Sequence, residues 1–272
     1  MAKVGLIPLC PMSYCRKYLS TLSAAGLLSA ATILPATGTA QVFTDSFADG
    51  DVQTVAPRGR FWTVVAPLTN PDSSAREQDG RLQLRASSWA NTYASIVSPA
   101  SADFGFFTQP VTVTLDDITL KAAGIPVNDA RFKLSFTSTA DRAEKAPDAI
   151  SLRLRNGLLL FGYRIDGYNA DTSPENLSGQ HANAVLAEPL TGLPSKISLT
   201  LGPSPSPGFV HYEIRAEGNG VSFSRSGSFP LTLAQWGGAD TAALVIDARR
   251  DNGTAAPDTY AELSLGQITV TR

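Results

Sequence analysis

The stretch Ala149-Ile-Ser-Leu-Arg-Leu-Arg-Asn-Gly-Leu-Leu-Leu-Phe-Gly-Tyr-Arg-Ile165 decides the fold class. Asn156-Gly157 lies between two alternating runs, and both residues tolerate the positive φ that a two-residue type I′ hairpin turn requires. A loop that short fixes the register: Arg155 opposite Leu158, Leu154 opposite Leu159, Arg153 opposite Leu160, Leu152 opposite Phe161, Ser151 opposite Gly162 and Ile150 opposite Tyr163. Under that register Ile150, Leu152, Leu154, Leu159, Phe161 and Tyr163 share one face, which predicts a core side. Arg153, Arg155 and Arg164 fall on the other face, beside the small Ser151–Gly162 pair. That second face reads either as a ligand surface or as a solvated convex face. The hairpin is expected in the middle of a large antiparallel sheet.

The rest of the chain after residue 40 repeats this pattern with almost no helical period. Val42-Phe-Thr-Asp-Ser-Phe47, Gly59–Val65, Arg81–Ala86, Tyr93–Ser98, Val111–Leu120 and Arg131–Phe136 read as strands before the hairpin. Lys196–Leu201, Phe209–Ala216, Val221–Ser226, Ala243–Ala248 and Ala261–Thr271 follow it. Asp79-Gly80 and Gly218-Asn-Gly220 are turn signals. Asp116-Asp117 interrupts its strand as a bulge or break would. Asp166–Asn183 has no strand pattern and reads as a functional loop or a plain surface excursion. The one helix candidate is a turn or two near Leu231–Trp236. Short strands at regular spacing, with no composition break over 41–272, predict an all-β fold. The expected form is a single jelly-roll-type β-sandwich of two antiparallel sheets with about a dozen strands.

The first 40 residues carry an address. Arg16-Lys17 precede the apolar Tyr18–Leu34, and Gly38 and Ala40 supply small residues at a cleavage site, the layout of a secretory signal peptide. Ser, Thr, Gly and a terminal Pro weigh against a membrane anchor, and Met12 is an alternative start. Both cysteines, Cys10 and Cys15, lie in this segment, so the mature chain has no disulfide or thiol chemistry. Cleavage removes three cations and no acid, taking the net charge from −2 to −5. An acidic product argues against nucleic acid as a partner. The expected location is secreted or periplasmic, with no stable membrane anchor after cleavage.

Phe43–Phe47, Phe61-Trp62, Asp79-Gly-Arg-Leu-Gln-Leu84, Tyr93–Val97, Phe104-Gly-Phe-Phe107 and the closing Glu262–Thr271 together resemble the concanavalin A-like lectin/glucanase superfamily, in its laminin-G-like bacterial branch. The resemblance implies that the first and last strands pair. It also implies a fold that hosts lectins, glycosidases, lyases and adhesive domains alike. The acidic Glu-x-Asp-x-Glu triplet of the glucanases does not occur, and neither do the motifs of the alginate lyases, G-x-S-x-G or a phosphate-binding glycine loop.

Residue types that could bind are nonetheless present. His211 and Glu213, with Arg215, lie on one face of a strand, readable as a site or as a solvated face of mixed charge. Exposed aromatic rings stack on the apolar faces of pyranoses, and the candidates are Trp89, Trp236 and Tyr168, the last with Asp166 and Asn169. Trp62 reads as core. Asp45, Asp49 and Asp51 around a glycine-containing turn could hold a structural calcium ion, or simply form a solvated turn. No other cofactor is expected. The sequence points to a non-catalytic protein binding a glycan, a cell-surface polysaccharide or another extracellular surface. A polysaccharide hydrolase or lyase, and a structural or adhesive envelope protein, are the alternatives.

Overall fold

The computed structural model describes residues 40–66, 73–87, 92–125, 130–155, 157–165, 183–250 and 258–272. Their alternation of apolar and polar positions resolves into two large antiparallel sheets and two smaller ones. The six-stranded sheet has the order β1 (Gln41–Asp45), β19 (Gln267–Thr271), β8 (Val111–Asp116), β14 (Lys196–Pro203), β15 (Phe209–Gly218) and β16 (Val221–Pro230). The seven-stranded sheet has the order β13 (Asn183–Pro189), β12 (Leu158–Arg164), β11 (Ala149–Arg155), β10 (Ala130–Thr137), β17 (Ala243–Arg250), β7 (Thr92–Val97) and β4 (Thr63–Val65). A four-stranded sheet joins β5 (Ser74–Gln78), β6 (Arg81–Ser87), β18 (Tyr260–Leu265) and β9 (Thr119–Ala123), and β2 (Thr54–Val55) pairs with β3 (Gly59–Arg60). First and last strands pair, as the resemblance implies.

The hairpin registers as its turn dictates, from Arg155 opposite Leu158 to Ile150 opposite Tyr163, and Gly157 has φ +69°. Its apolar face joins one continuous core with the inner faces of both large sheets. Phe161 meets Tyr212 of β15 at 4.9 Å between ring centroids, and Tyr163 stacks on Phe229 of β16 at 4.7 Å. These offset and tilted contacts are the arrangement that ring quadrupoles favour. Between the sheet edges, Arg225 of β16 pairs with Glu188 of β13 at 2.8 Å.

Asp116-Asp117 breaks its strand, and the break lets the chain pass from one sheet to another. β8 ends at Asp116, Asp117 takes φ +55°, and β9 continues in the four-stranded sheet. Leu265-Gly266-Gln267 makes the same passage alongside it, with the Gly266 N–H donating to the Asp116 carbonyl at 3.0 Å. A Cβ on Gly266 would lie 2.9 Å from the Asp117 Cβ, so the corner needs glycine there. Arg81 closes it by donating to the Asp117 carboxylate and carbonyl.

The second face of the hairpin departs from expectation. It is neither an open ligand surface nor a solvated one: Arg153 is 1% and Arg164 2% exposed, and Arg155 is half-buried. Register sets Ser95, Asp247, Lys133, Arg153 and Leu160 in one row across five strands, with Tyr93, Arg249, Arg131, Arg155 and Leu158 in the next. Over them lies the β10–β11 connection, Ser138–Asp148, a strap closed at its neck by the Ser138 N–H donating to the Asp148 carbonyl at 3.1 Å. Glu144 of the strap pairs with Lys133, with Arg142 at 3.1 Å and with Arg249 at 3.4 Å. Asp247 lies 3.4 Å from Lys133 and accepts from the Ser95 hydroxyl. Arg142 lies over the Tyr93 ring at 3.1 Å, and Arg164 donates to the carbonyls of Ala143 and Ala146. Charges this far from water persist only when paired, and the strap brings the partners.

Smaller differences concern elements. Gly59–Val65 splits into β3 and β4, and β5 and β13 form where no strand was expected. Within the helix candidate Leu231–Trp236 a run of turns begins at Leu233, with the Trp236 N–H donating to the Thr232 carbonyl at 3.1 Å. A 3₁₀ turn, Ala102–Phe104, is the helical element assigned among the described residues.

Candidate functional site

Among the described residues, the outer face of the six-stranded sheet is an open polar surface. Along β15 the even-numbered residues Val210, Tyr212, Ile214 and Ala216 are buried, while Phe209, His211, Glu213, Arg215 and Glu217 face outward. Register places Ser228 beside His211, Ser226 beside Glu213, Ser224 beside Arg215 and Ser222 beside Glu217 on the edge strand β16. On the other side stand Thr200, Ser198 and Lys196 of β14. The hydroxyls continue inward across the sheet: Thr200 to Thr112 at 2.8 Å and Ser198 to Thr114 at 2.9 Å.

Phe209 is the residue that sequence reasoning missed. It is 42% exposed, the most exposed large apolar side chain among the described residues, and it shares its face with His211 and Glu213. An aromatic ring left in water on a polar strand face offers a flat apolar plate flanked by hydrogen-bonding groups. The signal was in the sequence, because Phe209 has the same parity as His211. At the far end of β15, Lys196, Ser198, Arg215 and Glu217 line a shallow open depression of about 160 Å³. Between the two stands Glu213, which accepts from Arg215 at 2.7 Å and 2.6 Å, and within the depression Lys196 pairs with Asp116 at 3.0 Å.

The other predicted residues fall elsewhere. Trp236 is 2% exposed and donates through Nε1 to the Thr241 carbonyl at 2.9 Å, which makes it core rather than a sugar platform. Trp62 is core as expected. Trp89, Asp166, Tyr168 and Asn169 lie outside the described residues.

Asp45, Asp49 and Asp51 do not converge on a metal. Asp45 turns inward, accepting from the Phe47 N–H at 3.0 Å and from Trp62 Nε1 at 2.8 Å, and its burial raises its pKa. Asp49 accepts from the Thr54 hydroxyl and from the Asp51 N–H, which hold its pKa down, and Asp51 accepts from the Gln53 N–H at 3.0 Å. Their oxygens cap a turn. Among the described residues no group of three or more Asp, Glu, His or Cys side chains could hold a metal ion. A calcium ion, whose sites need six or more oxygens, would have to draw most of them from backbone carbonyls or water here. What the turn does contain is a carboxyl pair. Glu77 of β5 accepts from the Gly50 N–H at 2.8 Å, and burial beside the Asp49 carboxylate pushes its pKa up to about 7.

No family model and no curated protein matches this chain. Solved structures do. One comes from work on endo-acting O-glycanases that prominent members of the human gut microbiota express to initiate mucin breakdown. It has TM-score 0.50 and 12% identity over 85% of this chain and 99% of that one. LamAcat from Zobellia galactanivorans gives 0.49 and 13% over 86% and 98%. Lectin I from Ulex europaeus, in complex with the methyl glycoside of α-L-fucose, gives 0.47 and 10% over 84% and 96%. What is shared is the fold. It is a jelly-roll β-sandwich, and at these identities the likeness carries no further.

Proposed function

We propose that this chain is an exported, non-catalytic β-sandwich protein that binds carbohydrate through the outer face of its six-stranded sheet. The observation that carries the reading is Phe209, an exposed ring on the same open face as His211, Glu213 and the serine hydroxyls of β16. Sugars present an apolar ring face and a rim of hydroxyls, and this surface offers a partner to each. Export rests on the basic, apolar and small-residue layout of the first 40 residues.

Binding is favoured over turnover by the state of the buried acids, Asp247 of the seven-stranded sheet and Glu144 of its strap. Asp247 of β17 faces Lys133 and Arg142, and Glu144 of the strap faces Lys133, Arg142 and Arg249. A general acid or base must reach the proton it moves, and these carboxylates are committed to buried cations. The test is a glycan array run beside reducing-end and unsaturated-product assays on pooled polysaccharides. The expected outcome is retention on glycans with no product. Product formation would replace this reading with the polysaccharide-active one.

A further inference from the structure

We infer that the ligand of this face is a linear, neutral oligosaccharide lying along β15, gripped at one end by Phe209 and at the other by the Lys196–Ser198–Arg215–Glu217 depression. This rests on the carbohydrate reading above and specifies its substrate class.

The two features occupy opposite ends of one strand face. From Phe209 to Glu217 is eight residues, about 27 Å at the rise of an antiparallel strand. That is the length of several linked pyranose rings, far beyond one sugar. The depression is about 160 Å³, below the roughly 300–1,000 Å³ of pockets that hold a small molecule unaided. It therefore suits one subsite of a longer chain. Phe209, standing on an open strand face rather than in a pocket, likewise supplies one stacking contact and no enclosure. Two weak anchors joined by one ligand act together, because the second engages at the high effective concentration that the first creates.

Charge selects the class. Lys196 and Arg215 face Asp116, Glu213 and Glu217 on this surface, so acids outnumber bases. Both cations are in ion pairs, with Asp116 and with Glu213, and among the described residues Glu217 has none. A carboxylate accepts hydrogen bonds from two neighbouring hydroxyls, and the Ser198 hydroxyl beside it can donate or accept. A uronate or sulfated chain would meet net repulsion there, whereas a chain of neutral sugars would not. Between the anchors, Thr200, Ser226 and Ser228 add hydroxyls at strand spacing.

The experiment is a titration of the full chain with cello-, laminari- and manno-oligosaccharides, from monosaccharide to hexasaccharide, and with oligogalacturonides of equal lengths. Affinity is expected to rise at least about tenfold between disaccharide and pentasaccharide in one neutral series. Phe209→Ala and Glu217→Ala should each bring the pentasaccharide down to the affinity of the disaccharide, with melting temperature unchanged. Equal affinity for short and long chains would overturn the two-anchor inference while leaving carbohydrate binding in place. Tighter binding of oligogalacturonides would overturn the neutral class. Binding of no chain in any series would remove this inference and the carbohydrate reading together.

Discussion

Asp45 illustrates how a single side chain here serves the core rather than a ligand. Its two oxygens take the Phe47 N–H and the Trp62 indole N–H, both at hydrogen-bond distance inside the sandwich. Asp45→Ala should cost about 1–3 kcal/mol in urea unfolding, because buried donors are left unmet. A loss too small to measure would mean that water replaces the carboxylate. Glu77 is a second case, with a pH signature. Its folded pKa, about 7, stands above the ordinary value of 4.5, so between those values the folded state holds the proton more tightly than the unfolded chain. Glu77 therefore stabilises the fold most below pH 4.5, and that contribution is lost as pH rises through 7. Melting temperature followed from pH 5 to pH 8 should fall by a few degrees through this group. Glu77→Gln, fixed in the neutral form, should flatten the fall, and an unchanged slope would assign it to other groups.

Among the elements, the strap Ser138–Asp148 matters most for stability. Glu144 brings a carboxylate to Lys133, Arg142 and Arg249 where water does not reach. Glu144→Ala should cost about 3–5 kcal/mol, since it strands buried cations. Glu188→Ala removes the partner of the half-exposed Arg225 and should cost about 1 kcal/mol or less. Urea midpoints of the two variants compare them directly, and similar losses would contradict the burial of the strap network. Gly227 offers a packing test. A Cβ there would lie 2.9 Å from the Tyr212 ring, so Gly227→Ala should destabilise by about 1–3 kcal/mol through overpacking.

These elements also show what the sequence could and could not disclose. The hairpin was readable to the residue, because a two-residue loop leaves one register and the apolar set chooses one face. The strand break at Asp116-Asp117 was readable for the same reason, as a failure of alternation. β5, Ser-Ala-Arg-Glu-Gln, and β13, Asn183–Pro189, were not readable, because both are edge strands with little to bury. Alternation puts the arginines of β11 on the correct face and leaves their surroundings open between ligand and solvent, whereas the face is covered. Alternation tells which side a residue takes; it does not tell what covers that side. Here the cover is a polar connection whose Glu144 finds its partners only in three dimensions.

At the scale of the whole molecule, the closing of one sheet face puts the proposed binding surface on the other. Jelly-roll sandwiches present two outer faces, and in this chain the seven-stranded one is packed by its own strap. The six-stranded one keeps hydroxyls, His211, Glu213 and an exposed ring in water. His211 and Glu213 are legible as neighbours from strand parity, and the same parity places Phe209 on their face; that its ring stays in water shows only in three dimensions. The most direct measurement compares glycan retention by the wild type and by Phe209→Ala, with melting temperature recorded on the same samples. Binding on this face predicts that retention falls at least about tenfold with melting unchanged. Full retention by Phe209→Ala would contradict it and move the binding surface elsewhere.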